Sequence, residues 1–106
     1  MVITKAFINR FVETLNNAYE LRTCGTAKMI DGDEYVIRYE DLNGYTNSIY
    51  FSSLDEECQI GYLDYDGKYH WFATMRNIST RTETVFMIDI AICLYRMENH
   101  IEEELK

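Results

Sequence analysis

Cys58-Gln59-Ile60-Gly61-Tyr62-Leu63-Asp64-Tyr65-Asp66-Gly67-Lys68-Tyr69-His70-Trp71-Phe72-Ala73-Thr74-Met75 is the stretch that decides the fold of this chain. Asp-Gly between runs of β-branched and aromatic residues is a hairpin signal, because the tight turn needs positive φ at its centre. Asp31-Gly32 and Asn43-Gly44 repeat the signal upstream. Together the three turns predict an antiparallel meander of about five strands, near 25–30, 34–41, 46–52, 58–65 and 68–76. Ser53 to Glu57, between the third and fourth, can form a short helical turn with acids at its N-terminus.

On either side of the meander the apolar period becomes helical. Ile3, Phe7, Ile8, Phe11, Val12, Leu15, Ala18 and Tyr19 recur at helical spacing, so residues 3–22 read as a helix that Gly25 stops. Thr80-Arg81-Thr82-Glu83 fits a capping box with Thr80 as the cap, opening a helix that runs to about residue 104. That helix has two apolar stripes: Met87, Ile90, Leu94, Met97 and Ile101, and then Val85, Ile88, Ile92 and Tyr95. It therefore needs two partners. The sheet is one, and the other is the N-terminal helix or a second subunit, which makes Val85, Ile88, Ile92 and Tyr95 the expected homodimer interface. The β-branched residues of 84–90 also permit a sixth strand there. The order of helix, meander and long helix is an α+β arrangement, expected as one domain over 1–106.

Hairpin pairing sorts each strand into two faces. A two-residue Asp66-Gly67 turn groups Cys58, Ile60, Tyr62, Trp71, Ala73 and Met75 as the core face, and puts Gln59, Gly61, Leu63, Tyr65, Lys68, His70, Phe72 and Thr74 on the other. Around Asn43-Gly44 the same counting sets Val36, Leu42, Ile49 and Phe51 against Tyr35, Ile37, Tyr39, Ser48, Tyr50 and Ser52. If both helices cover one face, the other is a Tyr and Ser surface ringed by carboxylates, similar in composition to protein-binding paratopes. If one helix covers each face, the tyrosines are ordinary packing.

Charge points to a partner class. Eighteen acids against ten bases leave a net charge of -8. Residues 31–66 hold ten of those acids and one base, Arg38, so a concentrated negative surface is expected. Direct binding of DNA or RNA needs clustered Lys and Arg and is disfavoured, as is an anionic membrane. A basic protein is favoured. Cys24, Cys58 and Cys93 lie far apart in sequence without a C-x-x-C pair, which suits reduced thiols in a cytoplasmic protein. Met1 to Phe7 has no secretory pattern, and Val85 to Tyr95 is too short to span a bilayer.

Catalytic patterns are missing. Asp64-Tyr65-Asp66-Gly67 starts like a calcium loop, but its glycine is fourth and position twelve is Met75, so it reads as a turn. His70 has no nucleophile or orienting group nearby in sequence, and His100 sits where it can favour a helix C-terminus. No phosphate loop, G-x-S-x-G or H-E-x-x-H occurs. We therefore expect no enzyme, no cofactor and no metal. A small acidic α+β domain of this kind resembles inhibitors encoded by phages and mobile elements, among them some anti-CRISPR proteins, and immunity proteins that neutralise nuclease toxins. The likeness is one of size and charge. It implies an inhibitor that occludes the basic groove of a nucleic-acid-binding enzyme. Asp31, Asp33, Glu34, Glu40, Asp41, Asp55, Glu56, Glu57, Asp64 and Asp66 would stand in for phosphates, with Tyr35, Tyr39, Tyr50 and Tyr65 as desolvated contacts. The alternative is a dimeric small-ligand or nucleotide sponge, with Trp71 and tyrosines stacking on a base and only Lys68, Arg76 and Arg81 as a local basic group.

Overall fold

A computed structural model describes residues 3–19, 22–28, 34–40, 44–52 and 56–104, with side chains described for all of these except 16, 18, 19, 22–28, 102 and 104. The N-terminal helix, the antiparallel sheet and the long C-terminal helix form an α+β fold. Helix α1 spans Lys5–Tyr19. Thr4 caps it: its hydroxyl accepts from the Phe7 N–H at 3.1 Å, and its carbonyl accepts from the Ile8 N–H at 3.0 Å. The expected run to residue 22 fails at the far end, because Arg22 already begins a strand, and Gly25 lies inside that strand rather than stopping the helix.

The strands are β1 (Arg22–Lys28), β2 (Glu34–Glu40), β3 (Thr46–Ser52), β4 (Glu57–Leu63) and β5 (Tyr69–Met75), each antiparallel to the next in the order β1-β2-β3-β4-β5. Two registers depart from simple hairpin counting. Glu40 pairs with Thr46, so the β2–β3 connection holds five residues, 41–45, instead of two. Every pairing therefore slips by one, and Tyr35, Ile37 and Tyr39 face Phe51, Ile49 and Asn47 on one side of the sheet. At β4–β5 the loop is again five residues, since Leu63 pairs with Tyr69. A bulge then corrects the register: Gly61 pairs with Trp71 and Ile60 with Ala73, leaving Phe72 as the extra residue. Cys58, Ile60, Ala73 and Met75 keep the expected face. Trp71 is turned to the opposite one, and His70 comes to the core side beside Tyr62, their rings stacked at 5.1 Å.

Helix α2 spans Glu83–Glu104 without interruption, which excludes the sixth strand. Its cap is Thr82 rather than Thr80: the Thr82 hydroxyl accepts from the Val85 N–H at 3.2 Å. Thr80 instead ends a 3-10 turn, Ile78–Thr80, and donates its hydroxyl to the Asn77 carbonyl at 2.7 Å. Ile78 plugs the core and donates its N–H to the Glu56 carbonyl at 3.1 Å.

Both helices pack on the same face of the sheet. Phe7, Ile8, Phe11 and Leu15 of α1 and Phe86, Ile90, Leu94, Met97 and Ile101 of α2 share one core with Tyr35, Ile37, Tyr39, Ile49, Phe51, Cys58, Ile60 and Tyr62. Phe51 is the junction, with ring centres 5.3 Å from Phe11 and 6.0 Å from both Phe7 and Phe86. At the far end of α2, His100 lies against Phe72 at 5.3 Å and Tyr62 at 6.0 Å, so it is a packing residue. Phe86 takes the buried place expected for Met87, which is only partly covered. Among the described residues no helix is long and apolar enough to cross a membrane.

Candidate functional site

With both helices on one side, the other face of the sheet is uncovered. One row of paired residues crosses it: Arg38 on β2, Ser48 on β3, Gly61 on β4 and Trp71 on β5. Gly61 shapes the row. A Cβ there would overlap the His70 carbonyl oxygen and stand 2.7 Å from Cε1 and 3.0 Å from the hydroxyl of Tyr69. The Tyr69 ring thus lies across the sheet where a side chain is missing, and its hydroxyl reaches Ser48 on the next strand. Trp71 meets Tyr69 edge-on at 4.7 Å and Tyr50 at 6.3 Å, so the three rings form one wall. Trp71 is 54% exposed.

Between this wall and β2 lies an open hollow of about 230 Å³, lined by Val36, Arg38, Ser48, Tyr50, Tyr69 and Trp71. Two buried hydroxyls lie beneath it. Ser48 is only 2% exposed, and neither its hydroxyl nor that of Tyr69 makes a hydrogen bond of normal geometry, although the two face each other. Burial pushes the Tyr69 phenol above its ordinary value, against the smaller opposing pull of the Ser48 hydroxyl and the Arg38 guanidinium, so it stays a protonated donor at neutral pH. Arg38 is exposed and makes no ion pair among the described residues.

The acids expected to act together are divided. Asp31, Asp33, Asp41 and Asp55 lie outside the described residues. Glu34, Glu56 and Glu57 stand at one end of the strands, and Glu40, Asp64 and Asp66 at the other. A seven-residue strand separates the ends by roughly 20 Å, more than twice the screening length of ~8 Å at physiological salt. Instead of one concentrated surface, the described acids form two groups that frame the open face. Glu57 already pairs with Arg76 at 3.4 Å. Asp64 is occupied inside its turn, accepting from the backbone N–H groups of Asp66 and Lys68 at 2.9 and 2.8 Å and pairing with His70 Nε2 at 2.7 Å. Those contacts, the His70 hydrogen bond foremost, hold its carboxyl below the ordinary range. It is a turn organiser and not a free phosphate mimic.

The tyrosines divide likewise. Tyr35 and Tyr39 are 9% and 1% exposed and belong to the core, so they cannot be partner contacts; the one-residue slip in the β2–β3 register put them there. Tyr50 lies on the open face. Tyr65 is exposed at the loop end, its hydroxyl donating to that of Tyr45 at 2.9 Å. Arg38 and Tyr69 escaped the sequence reading as site residues, Ser48 entered only as part of the expected Tyr and Ser face, and Trp71 only as a stacking candidate. The available signal was Gly61, since a glycine inside a strand marks a bulge or a close approach.

On α2, Val85, Ile88, Ile92 and Tyr95 are 47% to 66% exposed and form a bare apolar stripe. Arg81 pairs with Asp89 at 2.5 Å beside it. Cys58 is buried and Cys93 partly so, and burial raises both thiols, which makes them poor nucleophiles. Among the described residues no three His, Cys, Asp or Glu side chains gather as a metal site would need. Comparison of the chain with protein-family models, with curated proteins and with solved structures gave no match.

Proposed function

We propose that this protein is a non-catalytic, cytoplasmic binding protein that docks the open face of its sheet on a basic partner and occludes a nucleic-acid groove. The observation that carries the proposal is the uncovered face itself, on which Trp71, Tyr50 and Tyr69 form an aromatic wall between two groups of carboxylates. Large rigid aromatics at the centre of a patch are what interface hot spots are made of, and charges at its edge act mainly on encounter rate. The hollow on that face is open to solvent, with a volume of about 230 Å³.

Capture from host lysate at low and moderate salt tests the proposal. The expected result is a stoichiometric basic protein whose nucleic-acid binding is blocked, retained at low salt, weakened as salt rises and lost with Trp71→Ala. Equal retention by Trp71→Ala would remove the open face from the argument. Reversal of Asp55, Glu56 and Glu57 to Lys should slow association while leaving the fold intact.

The stripe on α2 favours self-association as well. Val85, Ile88, Ile92 and Tyr95 follow the 3-4-3 spacing of a helix seam. Two copies crossing antiparallel at Ile92 would set Ile88 against Tyr95 and bring Arg96 of each beside Asp89 of the other, a self-complementary arrangement. Sedimentation at micromolar concentration should give a dimer mass that Ile92→Arg reduces to a monomer. A monomeric wild-type chain would remove this interface.

A further inference from the structure

We infer that Tyr45 and Tyr65 form a site of oxidative cross-linking, where a one-electron oxidant joins the two phenols into an intramolecular dityrosine. Their hydroxyls lie 2.9 Å apart, Tyr65 donating to Tyr45, and their ring centres are 5.8 Å apart at an angle of 57°. The contact spans two connections: Tyr45 immediately precedes β3, while Tyr65 belongs to the turn between β4 and β5. That turn is fixed through its backbone. The Asp64 carboxylate accepts from the Asp66 and Lys68 N–H groups, its carbonyl accepts from the Gly67 N–H at 3.1 Å, and its own N–H donates to the Lys68 carbonyl at 2.9 Å. The Tyr65 side chain stands outside this knot, 72% exposed and tied at its hydroxyl. An oxidant therefore has access to the ring, and the ring can turn about its side-chain bonds while the backbone stays in place.

The geometry of the product matches this pair. Dityrosine joins a Cε carbon of one ring to a Cε carbon of the other, each beside the carbon that bears the hydroxyl, so the two oxygens end close together. The hydrogen bond between Tyr65 and Tyr45 brings those oxygens together beforehand, and coupling then needs the ring edges to close. Each phenol gives up one electron and one proton to become a phenoxyl radical, and the two radicals pair as one Cε–Cε bond. The hydrogens on the joined carbons leave as protons while both oxygens are reprotonated. The chain loses two hydrogens in all. Hydrogen peroxide, acting through a haem peroxidase, takes up the two electrons and two protons and becomes two waters. Exposure alone would favour Tyr95 on α2 as much, at 66%, which makes it the control for geometry. A bond between residues 45 and 65 closes a covalent loop through β3 and β4 and, like other cross-links, restricts the unfolded chain. The inference does not depend on the docking of a protein partner, and its test uses the isolated protein.

Purified protein, dilute and concentrated, should be treated with a haem peroxidase and limiting hydrogen peroxide, then reduced so that no disulfide contributes, and measured under denaturing conditions. The expected product is a single chain lighter by two hydrogens, with dityrosine fluorescence and a fractional yield independent of protein concentration. Digestion after Lys, Arg and Glu should leave 41–56 joined to 58–68, and fragmentation should place the bond on Tyr45 and Tyr65. Tyr65→Phe should abolish this product, and Tyr95→Phe should retain it. A wild-type chain that yields no dityrosine, coupling that joins only separate chains, a bond mapped to other tyrosines, or a full yield in Tyr65→Phe would each overturn the proposal.

Discussion

Replacing Gly61 by alanine sets two effects of opposite sign against each other. Glycine inside a strand is intrinsically worse than alanine by about 0.5–1 kcal/mol, so on backbone entropy alone the variant should be stabilised. The structure opposes this. The new methyl would overlap the His70 carbonyl oxygen and crowd Tyr69 at Cε1 and at the hydroxyl. The tyrosine can rotate away, but the carbonyl belongs to the paired strand and can yield only if the β4–β5 ladder shifts. Overpacking of this kind destabilises by about 1–3 kcal/mol, and rigid backbone among the clashing atoms puts it at the upper end. The net expectation is a loss of roughly 1–2 kcal/mol, or about 5–10 °C in Tm for a domain of this size. Urea denaturation followed by Trp71 fluorescence measures it. The double variant Gly61→Ala with Tyr69→Ala separates the terms: removing the ring relieves the side-chain part only, so the combined loss should be less than additive. A Gly61→Ala protein as stable as the wild type, or more so, would refute the close approach of Tyr69 and with it the shape assigned to the hollow.

Other perturbations probe the remaining elements. Phe51→Ala removes the ring against which both helices pack and should cost about 3–5 kcal/mol by denaturant titration, while Tyr50→Ala, one residue away on the open face, should cost far less. Thr82→Ala should destabilise by about 1 kcal/mol because it uncaps α2, and Thr80→Ala, which leaves that cap in place, should fall well short of it. Asp64 is held below its ordinary value of 3.8, so the stability it contributes is fully present above that pH and is lost as pH falls through its lower folded value. The difference in urea midpoint between wild type and Asp64→Ala should accordingly be present at neutral pH and shrink in acid; a constant difference would exclude the charged carboxylate as the cause.

Much of the architecture was written in local pattern. The helical period of Phe7, Phe11 and Leu15 and of Ile90, Leu94, Met97 and Ile101 predicted two helices, and both bury those residues. Turn residues marked the meander because positive φ in a tight connection leaves few alternatives, and Gly44 and Gly67 do take φ of 86° and 78°. What local pattern could not supply was phase. A turn dipeptide shows that a chain reverses but not how many residues the loop holds, and in a structure of period two a single residue exchanges the faces. Five-residue loops at 41–45 and 64–68 sent Tyr35 and Tyr39 inward, and the bulge at Phe72 sent Trp71 outward. Nothing in strand propensity distinguishes these outcomes, since Tyr and Trp suit either face of a sheet. The side on which two amphipathic helices settle is likewise decided by total burial across the molecule, here around Phe51. Charge was legible as a count and not as a surface, because the described acids of the middle third stand at opposite ends of the strands. The sequence by itself determined the kinds of element, their order and the acidity. Only the tertiary structure decided the exposed face and the hollow at its centre, because register and bulge are settled by packing between residues distant in the chain.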